Sequence, residues 1–285
     1  MITVENLTKR YGKTCAVDNL SFTIPTGEVT GFLGANGSGK STTMRMITGL
    51  ENPTSGSALI NGLPFRKLAQ PARDIGAMLN PTWIPGHLTG RGHLRMVANY
   101  AGVPLALADD ALEAAGIAHA ARRRVKGYSL GMRQRLGLAS AMIGNPTYVL
   151  LDEPVNGLDP EGVTWMRNRI RDMAAEGRAV FVSSHLMAEM QITADRLVVI
   201  RQGKLVGEGP LNDFLGAGHI EVLCDRPGEL AKAFVAKQQG DTVLIENSTQ
   251  EEIGNKAREL GLAIYGMETK RVSLEDAFLN ATKVS

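Results

Sequence analysis

Gly34-Ala35-Asn36-Gly37-Ser38-Gly39-Lys40-Ser41, followed by Thr42 and Thr43, is the stretch that decides the fold. It fits the phosphate-loop pattern G-x-x-x-x-G-K-[ST] without a mismatch. Upstream lies Val29-Thr30-Gly31-Phe32-Leu33, a short apolar run with strand character. Downstream, Met44, Met46, Ile47 and Leu50 recur at helical spacing, with Gly49 as a stop signal. Strand, glycine loop and helix in that order is the context a working phosphate loop requires. The glycines let consecutive N–H groups turn inward as an anion nest, and the helix start adds partial positive charge. Phosphate contacts are therefore expected from Gly34, Asn36, Gly37, Ser38, Gly39 and Thr42. Lys40 supplies a mobile point charge to the β- and γ-phosphates, and Ser41 a hydroxyl ligand for Mg²⁺. An ordinary glycine turn before a helix would not need Lys-Ser in this register. The stretch reads as a nucleoside-triphosphate site.

A chain of 285 residues permits one large domain, or a large one with a small appendage. Its 44% hydrophobic and 21% charged content is that of a folded globular protein. The formal net charge of +2 gives no reason to expect a nucleic-acid surface. Cys15 and Cys224 are the only cysteines, which argues against a disulfide framework or zinc site and fits a reducing compartment. The N-terminus does not resemble a signal peptide, and no apolar run approaches the roughly 18–20 residues of a membrane helix. A membrane role is expected to run through a partner.

Ile2 to about Pro25 reads as two or three strands, with Tyr11 in an intervening loop. Ala58–Ile60 and Ile75–Leu79 are further strands, the second running into Asn80-Pro81-Thr82-Trp83-Ile84-Pro85. From about residue 81 to 145 the texture turns to Ala, Leu, Met and Arg, with Leu94, Val97, Ala98, Ala111, Leu112, Ala115, Leu136, Leu138, Ala139 and Met142 as inner faces. The core resumes with Tyr148–Leu151, a helix over Glu161–Ala175, a strand over Ala179–Ser184, a helix over Leu186–Ala194 and a hairpin across Gln202-Gly203. Beyond Gly216-Ala217-Gly218 a smaller pattern starts. It has strands at His219–Cys224, Thr242–Glu246 and Leu262–Gly266, and helices at Gly228–Lys237, Glu251–Leu260 and Leu274–Ala281.

Leu150-Leu151-Asp152-Glu153-Pro154 places two carboxylates at the end of a buried strand. Ligands of parallel sheets collect at the carboxyl ends of strands, so Asp152 should emerge beside the glycine loop. There Asp152 would hold Mg²⁺ through water, and Glu153 would activate the attacking water. Asn156-Gly157-Leu158-Asp159 follows as a tight polar turn. Ser183-Ser184-His185 then ends the next strand, putting an imidazole at the same edge, within reach of a γ-phosphate oxygen.

With Tyr128-Ser129-Leu130-Gly131-Met132-Arg133-Gln134-Arg135-Leu136 added, five motifs in order make residues 1 to about 215 resemble the ATP-binding subunit of an ABC transporter. The resemblance implies an α/β fold. It comprises a P-loop NTPase core, an N-terminal antiparallel β subdomain, a helical insertion at about 81–145 and a small C-terminal α+β appendage over 219–285. It also implies a head-to-tail dimer in which two copies close over two ATP molecules. Ser129 and Gly131 of one copy would then meet the γ-phosphate held by the other, with Tyr11 stacked on adenine and Asp159 beside the nucleotide. Two departures stand out. Leu130 and Met132 replace a glycine and a glutamine of L-S-G-G-Q, a form similar to the drug, bacteriocin and lantibiotic exporter branch, as is Leu274-Glu275-Asp276-Ala277-Phe278-Leu279 near the end. Asn80 stands where a glutamine usually touches Mg²⁺, roughly 1.5 Å shorter in reach, so a bridging water is expected there.

The resulting expectation is an ATPase working with ATP and Mg²⁺, held at the cytoplasmic face of the membrane by an integral-membrane permease, with no nucleic-acid partner. The family's groove for that permease implicates Trp83, Ile84 and Pro85, with burial inside the helical insertion as the alternative for the aromatic, and Arg122-Arg123-Arg124-Val125-Lys126 reads as a solvated face. A soluble relative acting on ribosomes or DNA would usually carry two cassettes or long coiled-coil inserts. A phosphotransferase would leave Tyr128–Leu136 without a purpose.

Overall fold

The computed structural model describes residues 1–80, 83–215, 218–270 and Leu274. The chain forms two compact units that divide at Gly209–Pro210.

In the first unit, alternating apolar residues make one-sided strands of β1 (Ile2–Tyr11) and β2 (Thr14–Ile24). With β4 (Ser55–Ile60) they form an antiparallel sheet in the order β2-β1-β4. Tyr11 closes β1 instead of lying in a loop, because it still pairs with Thr14. The second sheet contains β3 (Val29–Leu33), β5 (Ile75–Met78), β6 (Tyr148–Asp152), β7 (Ala179–Ser184), β8 (Arg196–Arg201) and β9 (Lys204–Pro210). Its order is β5-β6-β7-β3-β8-β9, and the first five strands of that order run parallel. Every residue of β3 and β7 is buried, which accounts for their unbroken apolar character. Phe22 of β2 packs 5.6 Å from Phe32 of β3, and Phe32 lies 4.9 Å from Phe181 of β7, so the two sheets share one core.

Helix α1 (Lys40–Ile47) adds Met44, Met46 and Ile47 to that core. It stops earlier than the spacing suggests. The Thr48 hydroxyl donates to the Met44 carbonyl, Gly49 turns left-handed at φ 66, and Leu50 is exposed. A short α2 (Pro71–Asp74) leads into β5. The helical insertion comprises α3 (Gly90–Ala101), α4 (Leu107–Ala114) and α5 (Leu130–Met142) around a small core of Leu94, Leu112, Ala115, Tyr128 and Leu136. Thr89 caps α3 by accepting from the Gly92 amide at 3.0 Å. Val97, Ala111 and Met142 are only half-buried. Helices α6 (Pro160–Ala175) and α7 (Met187–Thr193) complete this unit. The parallel register sets Leu33 opposite Ser184 and Asp152 opposite Ser183, which gathers the strand ends at one edge.

The second unit contains α8 (Leu211–Phe214), β10 (His219–Cys224), α9 (Pro227–Phe234), β11 (Lys237–Gln239), β12 (Thr242–Glu246), α10 (Gln250–Glu259) and β13 (Ile264–Lys270). From β10 onward this is a β-α-β-β-α-β chain with sheet order β11-β12-β10-β13, the split βαβ arrangement. Ile220, Val222, Val243 and Ile245 pack on Leu230 of α9 and Ile253 of α10. The helix expected over Gly228–Lys237 ends at Phe234, because Val235 turns left-handed and Lys237–Gln239 pair with β12. The strand expected at Leu262–Gly266 begins at Ile264 and runs on to Lys270, held by β10. The helix expected over Leu274–Ala281 lies outside the described residues apart from Leu274, which is buried.

Candidate active site

Helix α1 begins without a side-chain cap. Its N-cap is Gly39 at φ 106, so no side chain accepts from the first-turn amides. A Cβ at Gly39 would sit 2.5 Å from the Ala16 carbonyl, and one at Gly34 2.5 Å from the Ser38 hydroxyl. Ser38 is buried and its hydroxyl has no partner among the described residues, an orphaned donor that an anion's oxygen would satisfy. Lys40 is buried too. Its ammonium donates to the carbonyls of Gly34 at 2.6 Å and Ala35 at 3.3 Å, and lies 3.5 Å from Glu153 Oε1.

Glu153 follows the last residue of β6 at φ 49, a left-handed conformation costing a non-glycine residue on the order of 1 kcal/mol. That turn aims the side chain back across the sheet edge. Glu153 Oε2 is 2.9 Å from His185 Nδ1, so Lys40, Glu153 and His185 form one linked set. Behind them, the Ser183 hydroxyl donates to Asp152 Oδ1 and accepts from the Glu153 amide at 3.0 Å. The other Asp152 oxygen takes no hydrogen bond from the described residues. No group of three or more His, Cys, Asp or Glu among those residues is arranged to hold a metal by itself. A free carboxylate oxygen on Asp152 and the exposed Ser41 hydroxyl are hard oxygen donors suited to Mg²⁺ that takes its remaining ligands from phosphate and water. Asn80 lies two residues past Met78, which pairs with Leu151, so it emerges beside the Asp152 strand.

Of the remaining motif residues, Tyr11 reaches Thr42 just past the glycine loop, and Ser129 and Asp159 cap two other helices. The Tyr11 hydroxyl donates to Glu51, and the Lys9 ammonium sits 5.1 Å from the ring centroid. Burial and the Glu51 carboxylate push the Tyr11 phenol above its ordinary value, and the same hydrogen bond holds Glu51 below the usual carboxylate value. Ser129 caps α5, accepting from the Met132 amide at 3.2 Å. Asp159 caps α6, accepting from the Gly162 amide at 2.8 Å. Leu130 packs on the turn that ends in Asp159: a Cβ at Gly157, itself at φ 73, would lie 2.8 Å from Leu130 Cδ2. Arg122, Arg123, Arg124 and Lys126 are exposed. A cavity of about 520 Å³ opens between β5 and the helical insertion, lined by Leu50, Phe65, Asn80, Trp83, Val97 and Tyr100 among others. Trp83 is 56% exposed at its rim, with the Arg45 guanidinium 5.3 Å from its ring. Sequence reasoning assigned no role to Ser183 or Glu51. The pair of serines, Ser183 and Ser184, that ends an otherwise apolar buried strand is the available signal for the first, and the second carries none.

An uncapped glycine loop facing strand-end carboxylates defines a P-loop nucleoside triphosphatase. A family described as ABC transporter matches residues 17–156. The uncharacterized ABC transporter ATP-binding protein YhcH of Bacillus subtilis (strain 168) is 41% identical over 209 residues, 72% of this chain and 68% of that protein. The bacitracin transport ATP-binding protein BcrA of Bacillus licheniformis is 40% identical over 215 residues, 74% of this chain and 70% of that one. A solved structure described as the ATP binding subunit of an ABC transporter matches with a TM-score of 0.68 at 22% identity, covering 90% of this chain and 99% of that chain, a likeness of fold. The chain belongs to the family of ABC transporter ATP-binding proteins. It binds ATP and hydrolyses it to ADP and phosphate. No helix among the described residues is long and apolar enough to cross a membrane.

Proposed function

We propose that this chain drives export of a peptide antibiotic, or a drug- or lipid-like compound, through a separate integral-membrane permease, and that two copies close over two ATP molecules. The observation that carries the chemistry is the linked set of Lys40, Glu153 and His185 at the edge of the glycine loop. Lys40 leaves its loop carbonyls to neutralise the terminal phosphates. Glu153 takes the proton of the attacking water, a role worth about 10²–10⁴-fold in rate. His185 orients Glu153 and the γ-phosphate. Mg²⁺ would be held by Ser41 and Asp152, with Asn80 reaching it through water, and would neutralise charge developing on the phosphate oxygens. Ser129 and Gly131, at the start of α5, supply donors to the nucleotide of the second copy. Tyr11 stacks on adenine, and Asp159 borders the nucleotide. The apolar cavity with Trp83 at its rim suits a helical segment of the permease, which would hold the chain peripherally at the cytoplasmic face of the membrane. The name of the bacitracin relative supports the cargo class.

Glu153→Gln tests the reading. The variant should form a stable dimer in ATP and Mg²⁺, seen by size exclusion, with turnover reduced about 10²–10⁴-fold. A variant that stays monomeric under those conditions, even with its permease present, would rule out the sandwich.

A further inference from the structure

The Ser183 hydroxyl stands between the two carboxylates of the site without belonging to any motif that defines it. It is 0% exposed and lies on β7 directly opposite Asp152. Its single proton goes to Asp152 Oδ1, and its oxygen receives the Glu153 amide at 3.0 Å. The polarity of that relay is set by chemistry. An amide can only donate, and an ionised carboxylate can only accept, so the hydroxyl must point its proton at Asp152.

We infer that Ser183 is the positioning residue of the metal and water-activating groups. This inference rests on the roles proposed above for Asp152 and Glu153. Ser183 occupies one oxygen of Asp152, which would leave the other to meet an ion. It also gives the Glu153 amide its acceptor, which anchors the left-handed turn at φ 49 that directs the Glu153 side chain toward Lys40 and His185. Removing the hydroxyl leaves a donor without an acceptor in a half-buried turn and frees the Asp152 carboxylate to rotate. Neither change touches the glycine loop, so nucleotide binding without metal should survive.

The test measures binding of a fluorescent ATP analogue to the full chain, first in EDTA and then in magnesium chloride, alongside steady-state turnover. Ser183→Ala should bind the analogue as the natural chain does in EDTA. Its magnesium-dependent gain in affinity should shrink about 10–100-fold, the usual cost of losing such an outer support, with kcat falling and KM for the magnesium–nucleotide complex rising in step with the lost affinity. Ser183→Thr, which keeps the hydroxyl on a strand-compatible side chain, should recover most of both. Ser183→Cys keeps the shape with a much weaker donor, and should fold normally while behaving like the alanine variant. Asp152→Asn, measured in parallel, should abolish the magnesium gain. If Asp152→Asn abolishes it while Ser183→Ala and Ser183→Cys retain the full gain and full turnover, the inference about Ser183 is overturned and the assignment of Asp152 stands. If Asp152→Asn itself retains the gain, the assignment falls and the inference with it.

Discussion

His93 on α3 is 6% exposed, and burial pushes its imidazole below the ordinary value of 6.5. Its Nε2 lies 2.9 Å from the Ser140 hydroxyl, which has committed its own proton to the Leu136 carbonyl at 2.7 Å. Nε2 must therefore carry the hydrogen, and Nδ1 is a bare acceptor with no partner among the described residues. Protonation would place a second N–H in the interior with nothing to receive it. The unfolded chain takes up that proton near pH 6.5 and the folded chain only at lower pH. The contribution to stability is therefore complete above pH 6.5 and lost as pH falls from there toward the depressed value. Thermal unfolding from pH 8 to pH 5 should show a midpoint that falls further in the natural chain than in His93→Gln, whose neutral amide has no proton to gain. Parallel slopes in the two proteins would show that another group sets the acid limit.

At the scale of elements, the joint between α9 and β11 carries visible strain. Val235 is 96% exposed and sits at φ 51, φ space that a β-branched side chain occupies at a cost and with no burial in return. Val235→Gly should stabilise the second unit by roughly 1 kcal/mol, after allowing for glycine's freedom in the unfolded chain. Slower hydrogen exchange in α9 and β12 of the full-length protein would register it, and unchanged or faster exchange would contradict it. This joint also marks where sequence reading runs short. β11 is three exposed residues, Lys237–Gln239, with no apolar alternation, and it exists because β12 offers an edge to pair with. By contrast, β6 and β7 are legible because burial on both faces demands unbroken apolar runs, and the glycine loop because its backbone tolerates few other residues. His185 could be placed at the right edge by strand order alone. Its contact with Glu153 could not, since it depends on a left-handed turn that no residue type announces.

For the whole molecule, the proposed docking face should be separable from the chemistry. Trp83 and Tyr100, the latter 84% exposed, border the cavity but lie on different elements from Lys40, Glu153 and His185. Trp83→Glu combined with Tyr100→Glu should shift the chain from the membrane fraction of its source cells to the soluble one, as expected if buried aromatic anchors contribute about 2 kcal/mol or more each. ATP hydrolysis by the purified variant should stay at its natural rate, and loss of that hydrolysis would mean the cavity belongs to the catalytic unit. The contact of Leu130 with Gly157 has a consequence of another kind, for which pairs of substitutions the chain tolerates. Glycine at 157 leaves room for the leucine that replaces the usual glycine at 130, so the two positions are tied as a pair. With Leu130→Gly in place, Gly157→Asn would be accepted, since asparagine tolerates left-handed backbone. With Leu130 present the same asparagine has to displace the flexible end of that exposed leucine, so the two substitutions together should cost less stability than the sum of each alone.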